Sequence, residues 1–480
     1  MNALDATAVI LAAANDENMI ENRTFAEIAV GDSASLTRQA TRRDIDLLAI
    51  VSGNVNPIHM DPDFARNSPF HQTVAHGLYG SALISGVIGG KLPGPGAICL
   101  GQDIRYLLPI GIGDTLTVTV TVTAKNASKD ELQLNCRGIN QNGQAVLTGT
   151  AYVRAPTEKL RVARPEMPGV QVSGHERFHA LMARVRGEPP LIAAIAHPCD
   201  AAALGAAAEA AQAGLIEPIL VGPRAKILAA AQAAGVDCAA YRLVDAPHSV
   251  AAAAAAVALV RRGEAQALMK GSLHSDELLH AVLDRDNGLR TGRRLSHVYL
   301  IDAPGYPRPL LLTDAAVNIA PDLEAKRDII QNAVDLAHIL GVAEPRVAVL
   351  SAVEVINPNL PSTLDAAALC KMADRGQITG ALVDGPLAFD NAISPAAARE
   401  KGIVSSVAGQ ADILVVPDLE AGNMLAKQLT FLAGADAAGV VLGARAPIIL
   451  TSRADSARTR LASCAVAGLI SRAAPRPAVV

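Results

Sequence analysis

Residues 155–172 read APTEKLRVARPEMPGVQV, and this stretch divides the chain into two halves of different periodicity. Three prolines and several charges interrupt any regular apolar pattern there. Proline withholds a backbone donor and fixes its own φ, so such a run suits a spacer between cores. The expected organisation is an N-terminal extension over 1–19, a first domain over 20–155, a linker over 156–173 and a second domain over 174–480.

Before the spacer the pattern is β-rich around one or two helices. RRDIDLLAIVSG, from Arg42, reads as a helix with Asp44 in its first turn and Ile45, Leu48 and Ala49 on one face. VAHGLYGSALISGVIGGKL, from Val74, reads as a longer apolar helix ending at a Gly pair. DTLTVTVTVTAKN alternates at period two, and so does the stretch around the Asn-Gly turn at Asn142. A long helix followed by antiparallel strands predicts an α+β domain whose sheet wraps that helix. After the spacer, short apolar runs such as PLIAAIAH, ALMKG, HVYLID, ADILVVP and AGVVLG alternate with Ala-rich helical stretches. That alternation predicts an α/β domain in two lobes with parallel sheets, and ligands at the carboxyl ends of its strands.

Composition excludes several classes of function. The 480 residues are 50% hydrophobic and 18% charged, with a net charge of -4, so no basic surface is implied for nucleic acid or an anionic membrane. Aromatics are 2% and Trp is absent, which leaves Ala, Val, Leu and Ile to fill the cores. The six cysteines form no CxxC or zinc-like spacing, so no metal is expected and a reducing, cytoplasmic setting fits. No run reaches the ~18–20 apolar residues of a membrane span. ATAVILAAAN, from Ala6, lacks the preceding basic residues of a secretory signal. No GxGxxG fingerprint supports a dehydrogenase.

In the second half, Lys270 ends a strand before a helix, and Asp314 and Asn318 follow another strand. Asn423 lies in a Gly-Asn pair read as preceding a helix, and Ser452–Arg453 ends a strand with Asp455 just beyond. Each is weak alone, but strand ends of one sheet converge. TDAAVNIAPDLEAKRDIIQNA, DGPLAFDNAIS, DILVVPDLEAGNMLAKQL and LGARAPIILTSRADS, within about 269–467, resemble the phosphate acetyltransferase/phosphate butyryltransferase family. The resemblance implies a two-lobed fold like that of isocitrate and isopropylmalate dehydrogenases. It also implies transfer of an acyl group from CoA to phosphate, with CoA and acyl-CoA as substrates and no tightly bound cofactor. An anionic substrate and oxyanion need Arg, N–H donors and helix N-termini. Arg453 is then a bidentate phosphate partner, Ser452 an oxyanion donor or a cap, and Lys270 a point charge for phosphate or the CoA pyrophosphate. Acetate-specific relatives carry a carboxylate several residues after Ser-Arg. Arg458 and Thr459 stand in that region here, which favours the butyryl-type branch.

In the first half, SGNVNPIHMDPDFA and FHQTVAHGLYGSALIS resemble the MaoC-like, (R)-specific enoyl-CoA hydratases of the hot-dog fold, over about 20–155. That family's loop reads Ser-Gly-Asp-x-Asn-Pro-x-His, where Asp and His hold the water added to an enoyl-CoA. His59 matches, Asn54 replaces the Asp, and Gly77 is the expected backbone donor to the thioester carbonyl. An amide cannot exchange protons near neutral pH, so an impaired site is expected. Asp61 is offset from the motif. Hot-dog modules usually pair, which implies a homo-oligomer.

Overall fold

The computed structural model describes residues 19–170, 175–451 and 455–473. The chain separates into two compact units, Met1–Val172 and Ser173–Val480.

In the first unit, strands β1 (Met19–Glu21), β2 (Ser33–Gln39), β3 (Ile98–Tyr106), β4 (Thr115–Asn126), β5 (Glu131–Ile139), β6 (Ala145–Arg154) and β7 (Arg161–Ala163) accompany four helices. These are α1 (Arg42–Ser52), α2 (Pro57–Met60), α3 (Pro62–Arg66) and α4 (Leu78–Gly90). The five-stranded antiparallel sheet runs β2-β4-β5-β6-β3. Period two decides its faces: Leu116, Val118, Val120 and Val122 of β4 are buried, while the intervening threonines face out. Two of those hydroxyls pair across the strands, Thr119 with Ser35 and Thr117 with Thr37. α4 supplies Tyr79, Leu83, Ile84, Val87 and Ile88 to the same core. α1 begins at a reciprocal cap: the Asp44 N–H donates to Thr41 Oγ, and the Thr41 N–H donates to the Asp44 carboxylate.

Part of the expected linker belongs to this unit. β7 pairs antiparallel with β1, and the Asn22 side chain bonds the backbone of Glu158 and Leu160. Three exposed residues in an extended pair show no burial period, so composition hid the strand.

The second unit opens with α5 (Glu176–Val185) and β8 (Leu191–Ala196). Then follow β9 (Ile216–Gly222), β10 (Arg242–Asp245), β11 (Ala267–Lys270), β12 (Ser296–Asp302), β13 (Leu310–Thr313), β14 (Arg346–Leu350), β15 (Leu382–Leu387), β16 (Ile413–Val415), β17 (Asp436–Leu442) and β18 (Ile448–Ile449). Three of its helices shape the sites: α6 (Leu323–Ile339), α7 (Leu419–Phe431) and α8 (Ala457–Ala473).

Two parallel sheets were expected; a single mixed sheet is found, in the order β10-β9-β8-β11-β18-β17-β12-β13-β16-β14-β15. Its two ends are parallel blocks, but β18/β17, β17/β12 and β12/β13 are antiparallel, so the blocks run in opposite senses. Fully apolar strands buried on both faces carry no mark of direction. One face packs a continuous core that includes Ile195, Val298, Ile330, Val440 and Ile449. The other face carries two separate cores, one with Leu268, Val441 and Ile448, the other with Ile301, Leu312 and Leu414. The seam between them falls on β17 and β12.

Candidate functional site

The register places Met269, Ile449, Val440, Val298 and Thr313 on one row across the second sheet. β11, β18 and β13 therefore end within a residue of the same line. Lys270 and Leu450 leave it in one sense and Asp314 in the other.

Asp314, Asn318 and Asn423 come together. The Asp314 carboxylate accepts the N–H groups of Ala316, Val317 and Asn318 at 3.0, 3.1 and 3.1 Å, and the Asn318 amide at 2.5 Å. Asn318 Nδ2 also donates to the Leu295 carbonyl at 2.8 Å, and Asn423 Nδ2 to that of Ala315 at 3.2 Å. Both Asp314 and Asn318 are buried. These hydrogen bonds shape the turn at the end of β13. Lys270 is half-buried and stands four strand spacings from β13, roughly 19 Å at the usual inter-strand distance. Asp455 is half-buried and its charge reaches Tyr299. The expected Ser452 and Arg453 lie outside the described residues, as does most of the N-terminal extension.

His297 carried no signal in the sequence. It points with Tyr299 to the seam side of β12, ring centroids 4.3 Å apart at 64°. Gly439 makes room for it: a Cβ there would stand 2.9 Å from His297 Nε2. His297 is fully buried, and among the described residues neither ring nitrogen makes a hydrogen bond of good geometry. Burial pushes its pKa down to about 4, opposed by the Asp314 carboxylate and the Leu450 backbone. Folding therefore favours the neutral ring. The unfolded state binds the extra proton between pH ~6.5 and ~4, so stability present above that window is lost on acidification, by up to ~3 kcal/mol. Denaturant melts of the full chain at pH 7 and pH 4.5 test this. His297→Gln should flatten the difference; an unchanged pH dependence would assign it to other groups.

In the first unit, the Asn54 N–H donates to Ser52 Oγ, and Asn54 Oδ1 accepts the Asn56 N–H at 3.1 Å. Asn56 in turn caps α2, with Pro57 in its first turn. Asp61 Oδ1 caps α3 by accepting from the Asp63 and Phe64 N–H groups. His59 Nδ1 lies 2.8 Å from the Val74 carbonyl. A carbonyl only accepts, so Nδ1 carries the proton and Nε2 keeps a lone pair. Burial first, and then His76, hold the His59 pKa below its ordinary value; the Val74 bond opposes them.

His76, also missed from sequence, stacks on His59 with centroids 4.0 Å apart and 32° between planes. Its Nε2 donates to the Asn54 carbonyl at 3.0 Å, and its buried Nδ1 has no partner among the described residues. One histidine thus ties the Asn54 backbone to the His59 ring. The signal was its place beside Gly77 in Ala-His-Gly. Gly77 caps α4 without a side chain, and a Cβ there would meet the Tyr106 ring at 2.8 Å. Among the described residues no hydrogen bond joins the Asn54 side chain to His59.

Comparison with known proteins follows the same division. A family model described as "Phosphate acetyl/butaryl transferase" matches residues 246–468, and one described as "MaoC like domain" matches 27–138. A phosphate acetyltransferase of Rhizobium meliloti is 64% identical over 61% of this chain and 93% of its own length. A phosphate butyryltransferase of Clostridium acetobutylicum is 43% identical over 61% of this chain and 97% of its own. The crystal structure of a branched-chain phosphotransacylase from Enterococcus faecalis V583 covers 58% of this chain and 99% of that one, at 32% identity and a TM-score of 0.52.

Proposed function

Because the chain belongs to the phosphate acetyl/butyryltransferase family and carries a MaoC-like module ahead of it, we propose that it transfers acyl groups between CoA and phosphate, with a weakened hydratase site in its first unit. The reading rests on the row of strand ends, taken with the 64% identity to an acetyltransferase. A phosphate oxygen attacks the thioester carbonyl carbon, the carbon–sulfur bond breaks, and CoA leaves as thiolate. Arg453 holds phosphate, Ser452 donates to the oxyanion, and Lys270 and Asp455 flank the CoA side. Asp314, Asn318 and Asn423 fix the opposing turn. Neither reactant needs a resident cofactor. Phosphate-dependent release of CoA from acetyl-, propionyl- and butyryl-CoA tests the reading. No release from any of the three by folded protein would end it, and the ranking assigns the branch.

In the first unit His59 Nε2 faces water as base and the Gly77 N–H polarises the thioester, while Asn54 keeps the loop's shape but not its second proton carrier. A binding or pairing role is the rival reading. It draws on β3, an edge strand that exposes Ile98, Leu100 and Tyr106, where a second copy could add its own edge and form a homo-oligomer. Crotonyl-CoA hydration separates the two, since a pairing element gives none. The six free cysteines fit a cytoplasmic setting.

The two units have separate cores, and the β1–β7 pair closes the first on itself. A fragment from Gly174 to Val480 is therefore expected to fold and keep acyl transfer. An insoluble or inactive fragment beside an active full chain would show that the units depend on each other.

A further inference from the structure

β8, β11 and β18 lie side by side and run the same way, with Ala196 beside Lys270 and Met269 beside Ile449. His197 follows β8 at the edge from which the chain leads, three residues after Ile449, to Ser452. β8 and β18 are two inter-strand spacings apart, roughly 10 Å at the usual distance. His197 is half-buried at this edge.

Its backbone is held in an uncommon shape. His197 has a φ of 55°, a left-handed conformation rare for a residue with a Cβ. Its N–H donates to the Val221 carbonyl at 2.7 Å, and its carbonyl accepts the Cys199 and Ser272 N–H groups at 2.9 Å each. Gly271 permits the close approach: a Cβ there would stand 2.4 Å from the Ala196 carbonyl oxygen and 2.7 Å from that of His197. Outliers fixed in this way by their surroundings cluster at active sites.

The side chain is set as well. Ser272 Oγ donates its one proton to the His197 carbonyl at 2.7 Å and accepts the Cys199 N–H at 3.0 Å. Towards His197 Nδ1, 3.4 Å away, it can therefore only accept, which places the ring proton on Nδ1 and leaves a lone pair on Nε2. Burial first, and then Lys226 of the helix Arg224–Ala234, hold the His197 pKa below its ordinary value; Glu277 of the helix Ser275–Leu283 and Asp200 oppose them. The ring is thus neutral near pH 7, the form a base needs.

The transfer reaction leaves the proton of the CoA thiol without a carrier, and Arg458 and Thr459 stand where acetate-specific relatives carry a carboxylate. Resting on the acyl-transfer function proposed above, we propose that His197 is the catalytic base that exchanges this proton. With acyl phosphate as donor, Nε2 takes the proton from sulfur and the thiolate attacks the carbonyl carbon. The carbon–oxygen bond to phosphate breaks, and phosphate departs with that proton. In the other direction the proton brought by hydrogen phosphate passes to Nε2, the carbon–sulfur bond breaks, and the imidazolium protonates the departing sulfur.

Thioester formation from acetyl phosphate and CoA by the full chain, followed across about pH 5.5–9.5, tests the assignment. Asparagine and glycine both adopt the left-handed conformation, so His197→Asn and His197→Gly remove the base and keep the backbone. Each should lower kcat at neutral pH by at least ~100-fold and change the KM for CoA by less than ~threefold. The natural chain should lose activity only on the acidic side, below ~6.5, whereas both variants should speed up steadily towards the thiol's own pKa of ~8.5. Added imidazole should restore His197→Gly by at least ~tenfold. Wild-type rates and pH profile in both variants would overturn the proposal and leave the transfer function standing. So would a loss that is equal at every pH and unmoved by imidazole, the mark of a structural role. No thioester formation by the natural chain would overturn both.

Discussion

Arg453→Ala is expected to lower kcat/KM for acyl transfer to phosphate by ~30- to ~900-fold, or ~2–4 kcal/mol of transition-state stabilisation. The phosphate KM rises and kcat falls, because a dianion in a partly dry cleft loses a charged, bidentate partner. Neither Asp314 nor Asn318 can replace it: the Asp314 carboxylate is negative, and the Asn318 amide is already engaged. Ser452→Ala provides the contrast. A loss comparable to that of Arg453→Ala marks an oxyanion donor, and a small loss with lowered melting temperature marks a cap. Steady-state kinetics with phosphate varied decide both, and near wild-type constants for folded Arg453→Ala would remove that residue from the site.

Asn54→Asp should raise hydration of a short enoyl-CoA by at least tenfold, within the ~10²–10⁴ that one acid/base group supplies. The change is isosteric. One carboxylate oxygen can keep the bond from the Asn56 N–H, and the other becomes available beside the loop. The pH profile gives a second readout. His59 must be neutral to act as base, so activity falls as pH drops through its lowered pKa. A carboxylate nearby stabilises the imidazolium, so the acidic limb should move to higher pH in Asn54→Asp. His59→Ala should abolish whatever hydration the natural chain shows. Full wild-type hydration that Asn54→Asp leaves unaltered would mean that another group activates the water.

The parts of the fold that were legible in sequence are those where one face meets water. The threonines of β4 alternate with buried valines, and that alternation survives into the structure. One of the Ala-rich helical stretches of the second half is found as the helix Ser249–Arg261. Strand direction was not legible, because HVYLID and AGVVLG are apolar on both sides and read alike in either sense. β10 was overlooked: Arg242–Asp245 is four residues long with no buried position. Among candidate site residues, His59 and Gly77 were singled out through their motif. His76 and His297 were not, since a lone histidine in an apolar setting reads as ordinary core. Their distinction lies in tertiary neighbours, the stacked ring for one and, among the described residues, the lack of a hydrogen bond of good geometry for the other.

The four N–H groups converging on Asp314 have a consequence for what this position tolerates. Two carboxylate oxygens offer about four lone-pair sites, and all four are filled by donors. Asparagine matches the shape but turns one oxygen into an amino group, whose hydrogens would then point at hydrogens. Shape alone therefore does not specify the residue; the parity of donors and acceptors does. At Asn54, where Oδ1 receives a single N–H, the same pair of amino acids is interchangeable as far as the backbone is concerned. The chain thus holds one locus where Asp and Asn are synonyms to the fold but not to the chemistry, and one where they are opposites to the fold itself.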